Sequence, residues 1–104
     1  MGNRIMKPDM ASLEKNIRHF KVEYNKRLDI LTLQSDEQVP AVSYDCNGLF
    51  WLRVVPDTGE IIGVEIEDFE RVFLKKFQEF HKSQRNRPES YVAPISREVE
   101  ACFA

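Results

Sequence analysis

Residues 56–80 read PDTGEIIGVEIEDFERVFLKKFQEF, and this stretch decides the fold. Pro56-Asp57-Thr58-Gly59 puts proline and glycine where a tight turn needs a preset φ and a positive φ. Ile62, Val64 and Ile66 then alternate with Gly63, Glu65 and Glu67, the period of a strand with one dry and one wet face. Gly63 marks a close approach or a bulge. At Asp68 the period changes. Phe69, Val72, Phe73, Phe77 and Phe80 recur at helical spacing, which predicts a helix over 68–83 with Asp68 as its N-cap. Acids dominate before Arg71 and bases after it, as the helix dipole favours. The stretch is thus the closing strand of a small sheet and the helix that covers it.

Upstream, Asp9 caps a short predicted helix over 9–18, in which Met10, Leu13 and Ile17 share a face. Residues 1–8 are expected to be a mobile leader. From Phe20 the period is two. Phe20, Val22 and Tyr24 make one strand, Asn25-Lys26-Arg27 a turn, and Leu28 to Leu33 a second strand. Asn47-Gly48 between 41–46 and 49–55 is the strongest short-range hairpin signal, since both residues accept the positive φ of a type I′ turn. The arm at 49–55 is apolar on both faces and predicts a central strand covered on both sides. Beyond residue 84 the chain is polar. Residues 85–104 are expected to be a linker and tail, with Tyr91, Val99 and Phe103 as anchors and a short helix at 96–103 capped by Ser96.

The 104 residues fit one domain, and the net charge of -2 removes the whole-domain case for nucleic acid. No apolar run approaches the roughly 18 residues of a membrane span, and no signal-peptide core opens the chain. A cytoplasmic setting with reduced thiols is the expectation. Cys46 and Cys102 stand 56 positions apart with no metal-ligand spacing, which leaves one long disulfide as the alternative to free thiols. The Met-Gly start lacks the Ser or Thr a myristoylation pattern needs, since position 6 is Met6.

Motifs for chemistry are sparse. Glu65 and Glu67 share a strand face, as paired carboxylates for acid–base work or Mg²⁺ would, but a solvated strand face uses the same pattern. His19 and His81 have no Cys, Ser or Asp partner at motif spacing. No nucleophile elbow and no phosphate-binding glycine loop is present. The basic run from Lys75 to Arg87, with Tyr91 nearby, has the composition of a phosphate-contacting segment and equally of a solvated helix end.

The strand pair from Phe20 to Leu33, followed by Thr58-Gly-Glu-Ile-Ile-Gly-Val-Glu-Ile-Glu-Asp-Phe69, resembles the YuzE-like family of small bacterial domains of unknown function. The resemblance covers residues 20–69 and is most specific from Gly59 to Asp68. It departs at the basic turn Asn25-Lys-Arg and in the indistinct stretch 34–45. It implies a small antiparallel sheet with a helix and no settled activity. The placing of some members beside small toxin-like proteins suggests an antitoxin-type binding role. A second likeness, over 49–80, is to the HicB-type antitoxin domain, where a Pro-Asp turn precedes a comparable strand and helix.

The sequence therefore predicts an α+β protein. A sheet of about five antiparallel strands (20–67) packs against an amphipathic helix (68–83), with a short helix before the sheet, in a domain spanning 1–84. The expected function is a non-enzymatic protein-binding or dimerisation module, with self-association or a small toxin-like partner. The partner-contacting candidates are Trp51, Arg53, Tyr91, Val99 and Phe103. The alternatives are a nucleic-acid-binding regulator acting through 75–87, and a small enzyme or ligand-binding domain on the Glu65/Glu67 face. No catalytic residue, cofactor or metal is assigned.

Overall fold

The computed structural model describes residues 8–102; Phe103 and Ala104, and residues 1–7 of the leader expected over 1–8, lie outside the described residues. The fold is α+β. Helix α1 (Met10–Asn16) runs into a 3₁₀ turn at Ile17–His19. Strands β1 (Lys21–Asn25), β2 (Ile30–Gln34), β3 (Val42–Cys46), β4 (Phe50–Val54) and β5 (Ile61–Ile66) follow. A π-helical turn (Phe69–Phe73) leads into α2 (Leu74–Lys76), and α3 (Val92–Cys102) closes the described chain. The sheet is antiparallel throughout, in the order β1-β2-β5-β4-β3.

Turn chemistry accounts for the hairpins. Asn47 and Gly48 both take positive φ, 54° and 71°, and the Leu49 N–H donates to Cys46 O at 3.0 Å. This is the reversal expected of Asn-Gly. Gly59 sits at φ 79°, and the Gly59 N–H donates to Val55 O at 2.8 Å. Asp9 caps α1 as expected, its Oδ1 accepting from the Ala11 N–H at 3.1 Å. The Ser12 hydroxyl accepts from the Ile61 N–H at 3.0 Å, which fixes α1 to the start of β5.

The middle strand of the sheet is β5, not the expected 49–55, and among the described residues no strand is covered by helices on both faces. Strand β5 lies between β2 and β4, and Ile61, Ile62, Gly63, Val64 and Ile66 are all buried. In β4 burial alternates: Phe50, Leu52 and Val54 enter the core while Trp51 and Arg53 do not. The apolar count of 49–55 misled because a tryptophan adds to apolarity wherever it points. A register shift opposite Arg53 and Val54 inserts one extra residue into β5 beside Gly63.

All helices lie on one face. Leu13, Ile17, Phe73, Ile95 and Val99 join the inward residues of the sheet, Leu31, Leu33, Leu52, Val64 and Ile66, in one core. The second layer is built differently from the expected rod over 68–83. The helix is π-wound from the start, so that the Leu74 N–H bonds to Phe69 O, and it stops after Lys76. Phe77 leaves helical geometry at φ -108° and ψ 73°, and the chain turns so that the Phe80 N–H donates to Phe77 O at 2.9 Å. The turn gathers the phenylalanine stripe around a ring the sequence placed in the tail. Tyr91 lies 4.7 Å from Phe80, 6.2 Å from Phe73 and 6.3 Å from Phe69, centroid to centroid. Burying five aromatic rings against one another outweighs the few hydrogen bonds of a longer, half-exposed helix.

The segment after residue 84 is therefore part of the domain rather than a linker. Arg85 O accepts from the Tyr91 hydroxyl at 2.7 Å, and Pro88–Tyr91 winds into the helix over 92–102, longer than the expected 96–103. Burial pushes the Tyr91 phenol up, against a smaller lowering by Arg85.

Asp68 does not cap the following helix. It takes a left-handed conformation, φ 51° and ψ 48°, and its side chain makes no capping bond. The cap comes from Asp29, in the turn between β1 and β2. Its carboxylate accepts from the Glu70 N–H at 2.9 and 3.2 Å, the Arg71 N–H at 3.2 Å and the Tyr24 hydroxyl at 2.7 Å. Its backbone O accepts from the Phe69 N–H at 3.0 Å. Asp29 is 6% exposed and sits at φ 57°, a conformation that aspartate tolerates better than most side chains. The turn therefore reaches Asp29, and β2 begins at Ile30 rather than Leu28. Burial pushes the Asp29 carboxyl up, but the bonds from Glu70, Tyr24 and Arg71 outweigh it and hold the group below the ordinary carboxylate value.

Candidate functional site in the uncovered sheet face

With all helices on one side, the other face of the sheet stands open. The two-residue period sends Thr32, Gln34, Trp51, Arg53, Glu65, Ser43 and Asp45 toward it, the reverse of the core positions in each strand. The centre of the face is Arg53. It pairs with Gly63 on β5 and Ser43 on β3. A Cβ at Gly63 would stand 3.3 Å from Leu33 O and 3.5 Å from Arg53 Cβ and Cδ. Glycine at 63 thus lets the aliphatic stem of Arg53 lie across β5, with its charged end beyond the strand.

Trp51 pairs with Glu65 and Asp45 and remains 37% exposed. Its indole N–H reaches Glu67 Oε1 at 3.5 Å, at the outer limit of a hydrogen bond. Ser43, Trp51, Arg53, Glu65 and Glu67 line a shallow groove of about 330 Å³. A second groove, of about 430 Å³, lies between Arg53, Gln34, Ile62 and the loop residues Glu37, Gln38, Val39 and Pro40. Arg53 borders both. Among the described residues it forms no ion pair, and neither does Glu65. The groove beside Trp51 therefore offers one accessible indole, one unpaired guanidinium and two carboxylates on a rigid scaffold.

The expected site residues separate. Trp51 and Arg53 come together on the open face. Tyr91 and Val99 are 0% and 4% exposed and serve the core, so neither presents a surface to a partner. Phe103 lies outside the described residues. Glu65 and Glu67 share the groove, but His81 is not among its lining residues. Among the described residues no three His, Cys, Asp or Glu side chains converge as a metal would require.

The basic run is largely engaged within the fold. Lys82 meets Glu70 at 3.1 Å, Lys76 meets Glu98 at 4.0 Å, and the Arg85 guanidinium sits 4.6 Å above the centroid of the Tyr24 ring. Of the other exposed apolar residues, Val39 lies in the loop that borders the second groove, while Leu28 in a turn and Val72 in a helix lie away from the face.

No local pattern around Asp29 marks it as a capping residue. The donors it satisfies lie 41 and 42 positions away, and no local motif spans that gap. The openness of the Trp51 face was equally illegible, because it follows from which side the helices take. No helix is long and apolar enough to cross a membrane among the described residues. Compared with protein-family models, with curated proteins and with solved structures, the chain shows no significant match.

Proposed function

We propose that this chain is a non-enzymatic binding module that pairs with a second copy of itself through the uncovered sheet face. The observation that carries the reading is Trp51, a large aromatic more than a third exposed on a rigid strand, beside an arginine with no ion pair. Tryptophan and arginine are the residue types most enriched where binding energy concentrates. Arg53 and Glu65 make the face self-complementary, since a two-fold axis brings Arg53 of one copy to Glu65 of the other. The free thiols of Cys46 and Cys102 fit a reducing, cytoplasmic setting. The YuzE-like and HicB-type resemblances add an antitoxin-type role, in which the dimer offers its remaining surface to a small toxin-like protein.

Light scattering on size-exclusion fractions, over a range of concentrations, tests the reading. The wild type elutes as a dimer. Trp51→Ala weakens the dimer by roughly thirtyfold, the size of one strong interface anchor. Arg53→Glu weakens it too, and adding Glu65→Arg to that variant restores it. A wild type that stays monomeric throughout, or a double variant no better than Arg53→Glu, overturns the proposed pairing.

A further inference from the structure

The two cysteines are 56 positions apart in sequence, yet the fold brings the ends of their elements together. Cys46 is the last residue of β3 and is fully buried; Cys102 is the last residue of α3 and is half-buried against the core. Their contacts are reciprocal. The Cys46 thiol donates to Glu98 O at 3.5 Å, one helical turn before Cys102. The Cys102 thiol lies 3.8 Å from Asp45 O, the residue before Cys46. Each sulfur thus rests on the backbone beside the other, and both are free.

We propose that Cys46 and Cys102 form an intramolecular disulfide when the chain meets a small-molecule disulfide, and that this bond latches the end of α3 to β3. Cys102 is the more accessible thiol and reacts first. It gives its proton to solvent and attacks one sulfur of the reagent. The reagent S–S bond breaks, a mixed disulfide forms at Cys102, and one reagent thiolate leaves and takes a proton. Cys46 then loses its proton and attacks the Cys102 sulfur, and the second reagent thiol departs. Two protein thiols are oxidised to one disulfide, and one reagent disulfide is reduced to two thiols. Burial, then the hydrogen bond it shares with Cys102 and the nearby charge of Glu98 and Asp45, push the Cys46 thiol up. Cys46 is therefore slow to react with reagents from solvent, and its part in the second step rests on the nearness of the Cys102 sulfur alone.

The consequence falls on the part of the core that α3 supplies. Helix α3 contributes Ile95 and Val99, and its closure depends on packing and on contacts such as Asn47 Nδ2 to Glu98 Oε1 at 3.3 Å. A covalent tie at Cys102 suppresses local opening of α3.

The test uses the 104-residue chain, equilibrated with mixtures of reduced and oxidised glutathione, then acid-quenched and alkylated. Intact mass and peptide mapping are expected to show a monomer lacking two hydrogens, with no bound glutathione and with Cys46 joined to Cys102. Cys46→Ser is expected to stop at a glutathione adduct on Cys102, and amide exchange across 92–102 to slow roughly tenfold in the oxidised wild type. The proposal is overturned if the wild type itself stops at the adduct, if it cross-links between chains, or if it keeps both thiols. It is also overturned if the same bond forms equally well in urea, where the fold no longer juxtaposes the sulfurs.

Discussion

Asp29 is the residue whose removal tests the architecture most directly. Asp29→Ala strands the Glu70 and Arg71 N–H groups at the start of the π-helical turn and the Tyr24 hydroxyl at its edge. A lost N-cap costs about 1 kcal/mol. The Tyr24 bond to a charged acceptor is worth about 1.5–3 kcal/mol. Alanine at φ 57° adds about 1–2 kcal/mol of left-handed strain. The Arg71 ion pair adds little, since Arg71 is 70% exposed at its side chain. The sum is roughly 3.5–6 kcal/mol, a large share of the about 5–15 kcal/mol that holds an ordinary domain together. Asp29→Asn keeps one acceptor oxygen and the tolerance of positive φ, so it costs less, about 1–2 kcal/mol.

Urea unfolding followed by far-ultraviolet circular dichroism reads these differences directly. The pH dependence supplies an independent check. The folded Asp29 carboxyl has a lowered pKa, so on acidification the unfolded chain takes up its proton first. The stabilisation is complete above the unfolded value of about 4 and is lost as pH falls through the lower folded value. The gap between wild type and Asp29→Asn therefore narrows below about pH 4. An Asp29→Ala protein within about 1 kcal/mol of wild type would refute the reasoning, as would a gap that stays constant into strong acid.

Three further outcomes follow from the same structure. Gly48→Ala is expected to cost about 1 kcal/mol through backbone strain alone, because apart from the two neighbouring residues no heavy atom lies within 4 Å of the added methyl; equal melting temperatures would contradict this. A chain ending at residue 87 loses Tyr91, Ile95 and Val99 from the core and is expected to lack a cooperative unfolding transition, which calorimetry detects; a sharp transition would return 88–104 to the status of a tail. Burial and the Asp29 hydrogen bond push the Tyr24 phenol up to about 12. The unfolded phenol releases its proton near pH 10, so this contribution to stability is whole below about pH 10 and fades as pH rises toward the folded value. Ultraviolet titration of wild type against Tyr24→Phe shows one late-ionising tyrosine missing in the variant, and a matching pair of curves would disprove the assignment.

Local chemistry determined a good part of this protein. The Asn47-Gly48 and Pro56–Gly59 turns, the Asp9 cap and the alternation of Val64, Glu65 and Ile66 act within a few bonds of themselves, so their outcomes are legible residue by residue. The α+β class and the antiparallel sheet follow from those pieces. Tertiary structure decided what depends on partners far along the chain. Asp29 replaced Asp68 as the cap because a carboxylate held by the β1–β2 turn reaches the orphan N–H groups that a left-handed Asp68 does not. The phenylalanine stripe of 69–80 bent because Tyr91 offered it a ring to enclose. The same choice put every helix on one side of the sheet, and so left Trp51 and Arg53 uncovered on the other. Residue types can say that a strand is apolar or that a helix has a stripe. Which face is covered is a property of the whole packing, and in this chain the candidate site exists because of it.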